Sequence, residues 1–363
     1  MHEEAKVVVD PESIFVEDSY TGPRLETIDD VTAEWVVSLM EHQRERKVLH
    51  KKYATMIIQK ATEIFEPLDS LVEISIDELE EITVCGDIHG QYYDLMNIFK
   101  INGNPSEENP YLFNGDFIDR GSFSVEVIML MLAWKVCFPQ HFFMSRGNHE
   151  AKQLNKMYGF EGEVKAKYDV KTYDLFSQLF CHLPLCHVIN RKVMVCHGGL
   201  FSKDGVKLRA IAEEHRKREP GDSGIMVECL WSDPCDLNGR HPSKRGVGVM
   251  FGPDVAQRFL DDNNLSKYKT TSSANALMIN TFTFLIAMLV RSHEVKPEGF
   301  EYQKGGKVLT IFSAPNYCDQ MGNKGAFVRF TGADMRPNIT SFEKVDHPKV
   351  PPMAYAQSWG SFF

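Results

Sequence analysis

From Thr32 onward the spacing of apolar residues turns helical. Between about Arg46 and Phe65, the positions Leu49, Tyr53, Met56, Ile57, Ala61 and Ile64 share one face of a helix. Such a stripe predicts a helix packed on a core. From about residue 80 the texture changes. The short apolar runs ITVC (82–85), YLFN (111–114), HFFMS (141–145), VMVC (193–196), MLVR (288–291), VLTIFS (308–313) and AFVRF (326–330) have the length of strands. Helical spacing near 91–100 and 123–135 separates the first three. A β-α-β-α-β opening predicts an α/β fold with largely parallel strands at its centre. Residues 1 to about 30 are polar, contain Pro11, Gly22 and Pro23, and read as an extended linker or arm. The chain shows no internal repeat and no low-complexity tract.

Composition narrows the class. A chain of 363 residues is long enough for one large domain or two ordinary ones, and 43% apolar with 25% charged residues fits a soluble globular protein. A formal charge of −10 argues against nucleic acid as a partner. The eight cysteines include no C-x-x-C pair, and Cys85 and Cys196 sit inside apolar runs. They read as reduced, buried residues of a cytoplasmic protein, with the nucleus as a second location. The start MHEEAKVVVDPE has no apolar core of a secretory signal. The basic run HRKRE (215–219) reads as a solvated loop.

Candidate chemistry lies just after the strands. ITVC is followed by Gly86-Asp87-Ile88-His89-Gly90, YLFN by Gly115-Asp116-Phe117-Ile118-Asp119-Arg120-Gly121, and HFFMS by Arg146-Gly147-Asn148-His149-Glu150. VMVC leads to His197, MLVR to Ser292-His293-Glu294, and VLTIFS to Ala314-Pro315-Asn316-Tyr317-Cys318. Open α/β sheets bind ligands at the carboxyl ends of their strands. One such loop alone could be a turn with a solvated Asp and a capping His. Three at successive strand ends, joined by two further histidines, point to metal binding. Asp, His and Asn donors suit Mn, Fe, Zn or Mg, and a carboxylate shared between two ions suits displacement at phosphorus.

The blocks GDIHG, GDFIDRG, RGNHE, HGGLF, LWSDP, RSHE and SAPNYC, in that order, resemble the serine/threonine phosphoprotein phosphatases of the metallophosphoesterase superfamily. The stretches VEDSYTGPRLE, YGFEGEVKAKY, SKRGVG and PPMAYA look like the type 5 branch. The resemblance implies a β-sandwich of mixed sheets flanked by helices. It implies a catalytic domain over 31–345, an arm over 1–30 and a tail over 346–363. It further implies that Asp87, His89 and Asp116 hold one divalent ion, and that Asp116, Asn148, His197 and His293 hold a second, with manganese expected to serve in vitro. A metal-bridging hydroxide would attack phosphoserine or phosphothreonine directly. His149 would be the general acid and Asp119 its orienting partner. Arg120, Arg245, Asn148, His149 and Tyr317 would contact substrate. The type 5 branch carries a tetratricopeptide domain that docks a chaperone. This chain is expected to lack that domain, and chaperone docking with it, leaving phosphoproteins as its partners.

One stretch departs from the family. About twenty residues, 266–287, stand where the family passes almost directly from NNL to RSHE. The apolar part, ALMINTFTFLIAMLV, is shorter than the ~20 residues of a membrane span, so membrane association through about 276–290 is not expected. Excising the stretch restores the family spacing, Ser-Lys-Tyr can be encoded by a typical intron start and Phe-Leu-Ile-Ala can span an intron end, so a retained intron or splice variant is expected. Two alternatives follow for function: a catalytically impaired or membrane-associated splice isoform acting as a binding protein, or a nucleotide phosphoesterase of the same superfamily.

Overall fold

The computed structural model describes residues 7–263 and 288–356. The stretch 266–287, and with it the expected insertion, lies outside the described residues, as does the tail from residue 357. Among the described residues no helix is long and apolar enough to cross a membrane.

The strands are β1 (Leu71–Ile74), β2 (Glu81–Cys85), β3 (Tyr111–Phe113), β4 (Phe142–Met144), β5 (Cys186–Ile189), β6 (Val193–Cys196), β7 (Asp233–Pro234), β8 (Arg240–Pro242), β9 (Val249–Phe251), β10 (Met288–Arg291), β11 (Phe300–Tyr302), β12 (Val308–Ile311), β13 (Gly325–Thr331) and β14 (Pro337–Phe342). The α-helices are α1 (Ala33–Arg44), α2 (Lys51–Phe65), α3 (Tyr92–Asn102), α4 (Ser124–Cys137), α5 (Lys152–Tyr158), α6 (Phe160–Lys167), α7 (Val170–His182), α8 (Leu208–Ala212), α9 (Ile225–Trp231) and α10 (Pro253–Asn263).

Two mixed sheets face each other. One has the order β14-β13-β2-β3-β4, with β2, β3 and β4 parallel. The other runs β1-β5-β6-β10-β12-β11, with β6, β10 and β12 parallel. A small third sheet, β7-β9-β8, lies beyond them. The period-two alternation of strand side chains assigns each residue to a layer. Ile82, Val84, Leu112, Val193, Val195, Val290 and Leu309 fill the space between the two sheets. Their neighbours Cys85, Tyr111 and Phe113 point outward into the layer of α1–α7. Met194, Cys196, Leu289 and Val308 point the other way, toward α8–α10. This is the mixed-sheet sandwich flanked by helices that the resemblance implied. Helix α4 is buried over nearly its whole length, which is why its sequence is apolar on all sides.

Two local readings change. The apolar stripe begins helically at Lys51 and not near Arg46, because Arg46 takes a left-handed conformation (φ 63°) and His50 caps α2. The HRKRE run is not simply solvated: Arg216 is buried and donates to the terminal carbonyls of α2 (Phe65) and α7 (His182). The arm before α1 is fastened to the helical layer. Gln59 Nε2 donates to Val9 O at 2.6 Å, Trp35 Nε1 to Arg24 O at 2.9 Å, and Leu25 and Val31 are buried.

Candidate metal centre

The parallel strands of both sheets end at one place. A single bridge between Asp87 and Phe312 ties the end of β2 to the end of β12, so the loops of the two sheets meet at a seam. Crowding there requires glycine. A Cβ on Gly115 (φ 84°) would lie 2.5 Å from Gly147 Cα, and one on Gly147 would lie 2.2 Å from Asp116 Oδ1. Five non-glycine residues in the site, His89, Asp116, Asp119, Arg120 and His293, have φ between 46° and 71°. Each costs roughly 1–3 kcal/mol and persists because its surroundings fix it.

The first sheet brings Asp87, His89, Asp116 and Asn148, and the second brings His197 and His293. Ligand atoms of Asp116, His197 and His293 converge within 4.8 Å, as do those of His89, Asp116 and His149. Asp116 Oδ2 is 3.3 Å from His197 Nε2 and 3.6 Å from His89 Nε2, so one carboxylate faces both groups. Asn148 Oδ1 is 2.8 Å and His293 Nδ1 is 3.2 Å from His197 Nε2. Asp87 stands beside the first group, 3.5 Å from His89 Nε2, and its other oxygen accepts the His293 amide at 3.0 Å.

These residues fit cations. His89 Nδ1 lies 3.0 Å from Ile118 O, and His197 Nδ1 lies 2.8 Å from Asn114 O. A ring nitrogen donating to a carbonyl leaves the other, Nε2, with a lone pair. Among the described residues, the buried His293 Nε2 has no hydrogen-bond partner. Burial alone would raise the Asp116 carboxyl, but the charges of His197, His149 and His89 outweigh it and hold Asp116 well below the usual carboxylate range. Burial, reinforced by His197 and two arginines, keeps His293 neutral, as a ligand must be. Burial would lower His197, but its carboxylate neighbours outweigh burial and push it up to about 9, so a cation binding at Nε2 displaces a proton. Two buried carboxylates facing so many nitrogens are an anionic cradle for divalent ions.

Beside the cradle opens a cleft of about 400 Å³, bordered by Arg120, His149, Tyr158, Arg245 and Tyr317. His149 Nδ1 is 2.9 Å from Asp119 Oδ2. Asp119 is held in turn by Asn155 Nδ2 at 3.1 Å and the Phe160 amide at 2.9 Å. The Arg120 guanidinium lies 3.7 Å from the Tyr158 ring centroid. Arg245, whose basic turn could have been merely solvated, is fixed by Asp233 (2.6 Å) and by His293 O (3.1 Å). Tyr317 packs on His89, with ring centroids 5.0 Å apart.

Several residues here were not singled out by sequence. Glu150 is buried, and its carboxylate accepts the amides of Asp116, Phe117 and Gly147, binding the second and third loops together. Burial pushes it up to about 7. Glu150 and Asp233 stand inside the blocks RGNHE and LWSDP, which was the available signal. Asn155 and Tyr158 lie on α5, and their spacing gives no hint of the cleft.

The profile of the calcineurin-like phosphoesterase family matches residues 81–268. This chain belongs to that family. Among calcineurin-like phosphoesterases it is 55% identical over 348 residues to serine/threonine-protein phosphatase 5 of Arabidopsis thaliana, and 51% identical over 350 residues to serine/threonine-protein phosphatase 5 of Homo sapiens. The alignments cover 96% of this chain but 61% and 66% of those relatives, so the chain spans about two thirds of their length or less. A solved serine/threonine phosphatase from Saccharomyces cerevisiae, described as similar to human phosphatase PP5, superposes with a TM-score of 0.80 at 38% identity, covering 89% of this chain and 100% of that one. A cold-active protein-tyrosine phosphatase of Shewanella shares the fold alone, at a TM-score of 0.50 and 14% identity.

One expectation is corrected. A profile described as the PPP5 TPR repeat region matches residues 1–73, so the chain cannot be described as lacking that region, and the expected absence of chaperone docking loses its basis. The described part of that interval holds the arm, α1, α2 and β1. Its polar, proline-bearing start read as a linker and its apolar stripe as core, and both features hid the similarity.

Proposed function

We propose that the chain is a metal-dependent protein serine/threonine phosphatase, a phosphoric monoester hydrolase acting on phosphoserine and phosphothreonine in proteins. The observation that carries this reading is Asp116: one buried carboxylate facing two nitrogen-rich groups, beside a cleft with two arginines and a carboxylate-backed histidine. Asp87, His89, Asp116, Asn148, His197 and His293 would hold divalent ions, which would supply charge neutralisation and acidify water near neutral pH.

The chain's own residues do the rest. Arg120 and Arg245 present planar guanidinium forks to the non-bridging phosphate oxygens. Their orientation is set before substrate arrives, by Tyr158 on one side and Asp233 on the other. Water adds to phosphorus as the bond to the serine or threonine oxygen breaks, and it releases one proton to solvent, matching the proton that His149 later regains. That oxygen needs a proton, and His149, with Nδ1 occupied by Asp119, donates from Nε2. Tyr317 hydrogen-bonds at the pocket wall. Manganese is the ion we expect to serve in vitro. The unpaired state of all eight cysteines supports work in a reducing compartment, cytoplasm or nucleus.

The test is hydrolysis of a phosphoserine peptide by the purified chain, with and without added manganese. Turnover that depends on metal supports the reading. Metal-loaded chain that ignores phosphopeptides but cleaves a dinucleotide polyphosphate overturns it.

A further inference from the structure

The chain near its described end returns to the phosphate clamp. Residues 350–356 form a strap along the loop that carries Arg120. The Met353 amide donates to Arg120 O at 2.9 Å, and Ser122 Oγ donates to Pro351 O at 2.7 Å, so the strap is clipped at the arginine and again two residues beyond it. Met353 Sδ lies 4.0 Å from Arg120 Nη1, while the Tyr158 ring lies 3.7 Å from the guanidinium carbon. The arginine is thus held between a thioether and an aromatic ring, and its buried Nε has no partner among the described residues.

The strap has a prepared seat. A Cβ on Gly162 of α6 would lie 2.2 Å from Tyr355 O, and the three heavy atoms nearest to that Cβ all belong to Tyr355. The Lys167 ammonium sits 5.8 Å from the Tyr355 ring centroid. The seat matters because Asp119 and Arg120 are consecutive left-handed residues (φ 69° and 68°), a conformation that non-glycine residues keep only under restraint. Arg120 N donates to Tyr158 O from one side, and the strap supplies the opposing hydrogen bond to Arg120 O.

We propose that Met353, seated by Gly162, is a positioning residue for phosphate binding: it holds Arg120 in its clamping orientation without touching substrate. This rests on the phosphatase reading for its meaning but not for its test. Among the described residues, the hydrogen-bond-range contacts that join Met353 to a residue of the cleft are with Arg120, so the effect should vanish when Arg120 is removed.

The experiment uses the manganese-loaded full chain and inorganic phosphate as probe, with affinity read by calorimetry, alongside KM and kcat on a phosphopeptide. Met353→Ala should weaken phosphate about fivefold and raise KM by a similar factor, with a smaller fall in kcat. Met353→Leu, which keeps the apolar contact, should stay within about twofold. Gly162→Ala, remote from the cleft, should copy Met353→Ala. In an Arg120→Ala background, Met353→Ala should add nothing, the signature of coupling through one contact. The same loss with and without Arg120, or unchanged phosphate affinity in both Met353→Ala and Gly162→Ala, overturns the proposal. Phosphate affinity needs no turnover, so a chain that binds phosphate and hydrolyses nothing sinks the proposed function while the cycle still judges the strap.

Discussion

Asp119 is placed one turn of chain beyond the metal cradle, and its oxygens are taken by His149, Asn155 and the Phe160 amide. Such a carboxylate orients and charges an imidazole. Loss of that imidazole should therefore depend on the leaving group. His149→Asn is expected to cut phosphoserine peptide turnover by roughly a thousandfold and aryl phosphate turnover far less, because a phenolate departs with little help. Equal losses on the two substrates would remove His149 from the proton transfer. A second residue-scale prediction concerns stability. Burial, with Lys135 nearby, pushes His187 down to about 3. An unfolded histidine titrates near 6.5, so below that pH the unfolded chain takes up a proton the native chain refuses. Stability should fall as pH drops from about 6.5, by up to about 1.4 kcal/mol per unit from this group alone. Denaturant midpoints at pH 7 and pH 5 measure it, and His187→Asn should flatten the difference. At this scale the sequence showed the polar groups well, since Asp, His and Asn in glycine-rich loops advertise themselves. It hid their supports. Glu150 and Asn155 act through backbone amides and other side chains, and no spacing rule reveals a partner that folding alone brings near.

Loops and strands fix the ligands more than any single side chain does. Gly147 leaves its neighbour Asp116 no slack, since an added Cβ would sit 2.2 Å from Oδ1 and 2.3 Å from the Asp116 amide nitrogen. Gly147→Ala should shift the shared carboxylate, lower metal content by elemental analysis and cut turnover about a hundredfold. Full metal content with normal rate would show that the loops tolerate separation. The seven strands read from the sequence all form, because each is a short apolar run ending in a polar loop. The strands that went unread had weaker texts. β1 carries Glu73 on an exposed face, β5 contains a histidine, β7–β9 and β11 are two or three residues long, and β14 opens on Pro337-Asn338 and is half polar. Helices α5–α7 were hidden by mixed composition, and their burial comes from tertiary packing around Phe160 and Phe176. The odd stretch at 266–287 ends where β10 begins, and β10 itself is in register with β6 and β12 from Met288 onward. A chain lacking 266–287 is accordingly expected to be at least as active and more soluble than the long one. Transcript sequencing and side-by-side assay check this, and a long chain of equal activity and solubility as the sole product would mark the stretch as genuine.

On the scale of the molecule, the cradle is a seam. Four of the proposed ligands follow strands of one sheet and two follow strands of the other, so cations held there would tie the sheets together. Anything bound only by the native state stabilises it in proportion to the logarithm of its excess concentration. Chelation should lower the thermal midpoint by several degrees, and manganese should restore it, with Asp116→Asn insensitive to both. An unchanged midpoint in the wild-type chain would mean that the sandwich core alone sets its stability.

The pairing of β2 with β13 has a consequence for biosynthesis. β2 ends at Cys85, and its second neighbour begins only at Gly325. At about 5–20 residues per second, the ribosome takes roughly 12–50 s to deliver that partner. Throughout this interval β2 keeps at least one open edge, and for most of it Ile82 and Val84 also lack their cover from Val290 and Leu309. Yield in a cell should therefore depend on translation speed and on holding factors near the exit tunnel, even where the finished protein is stable.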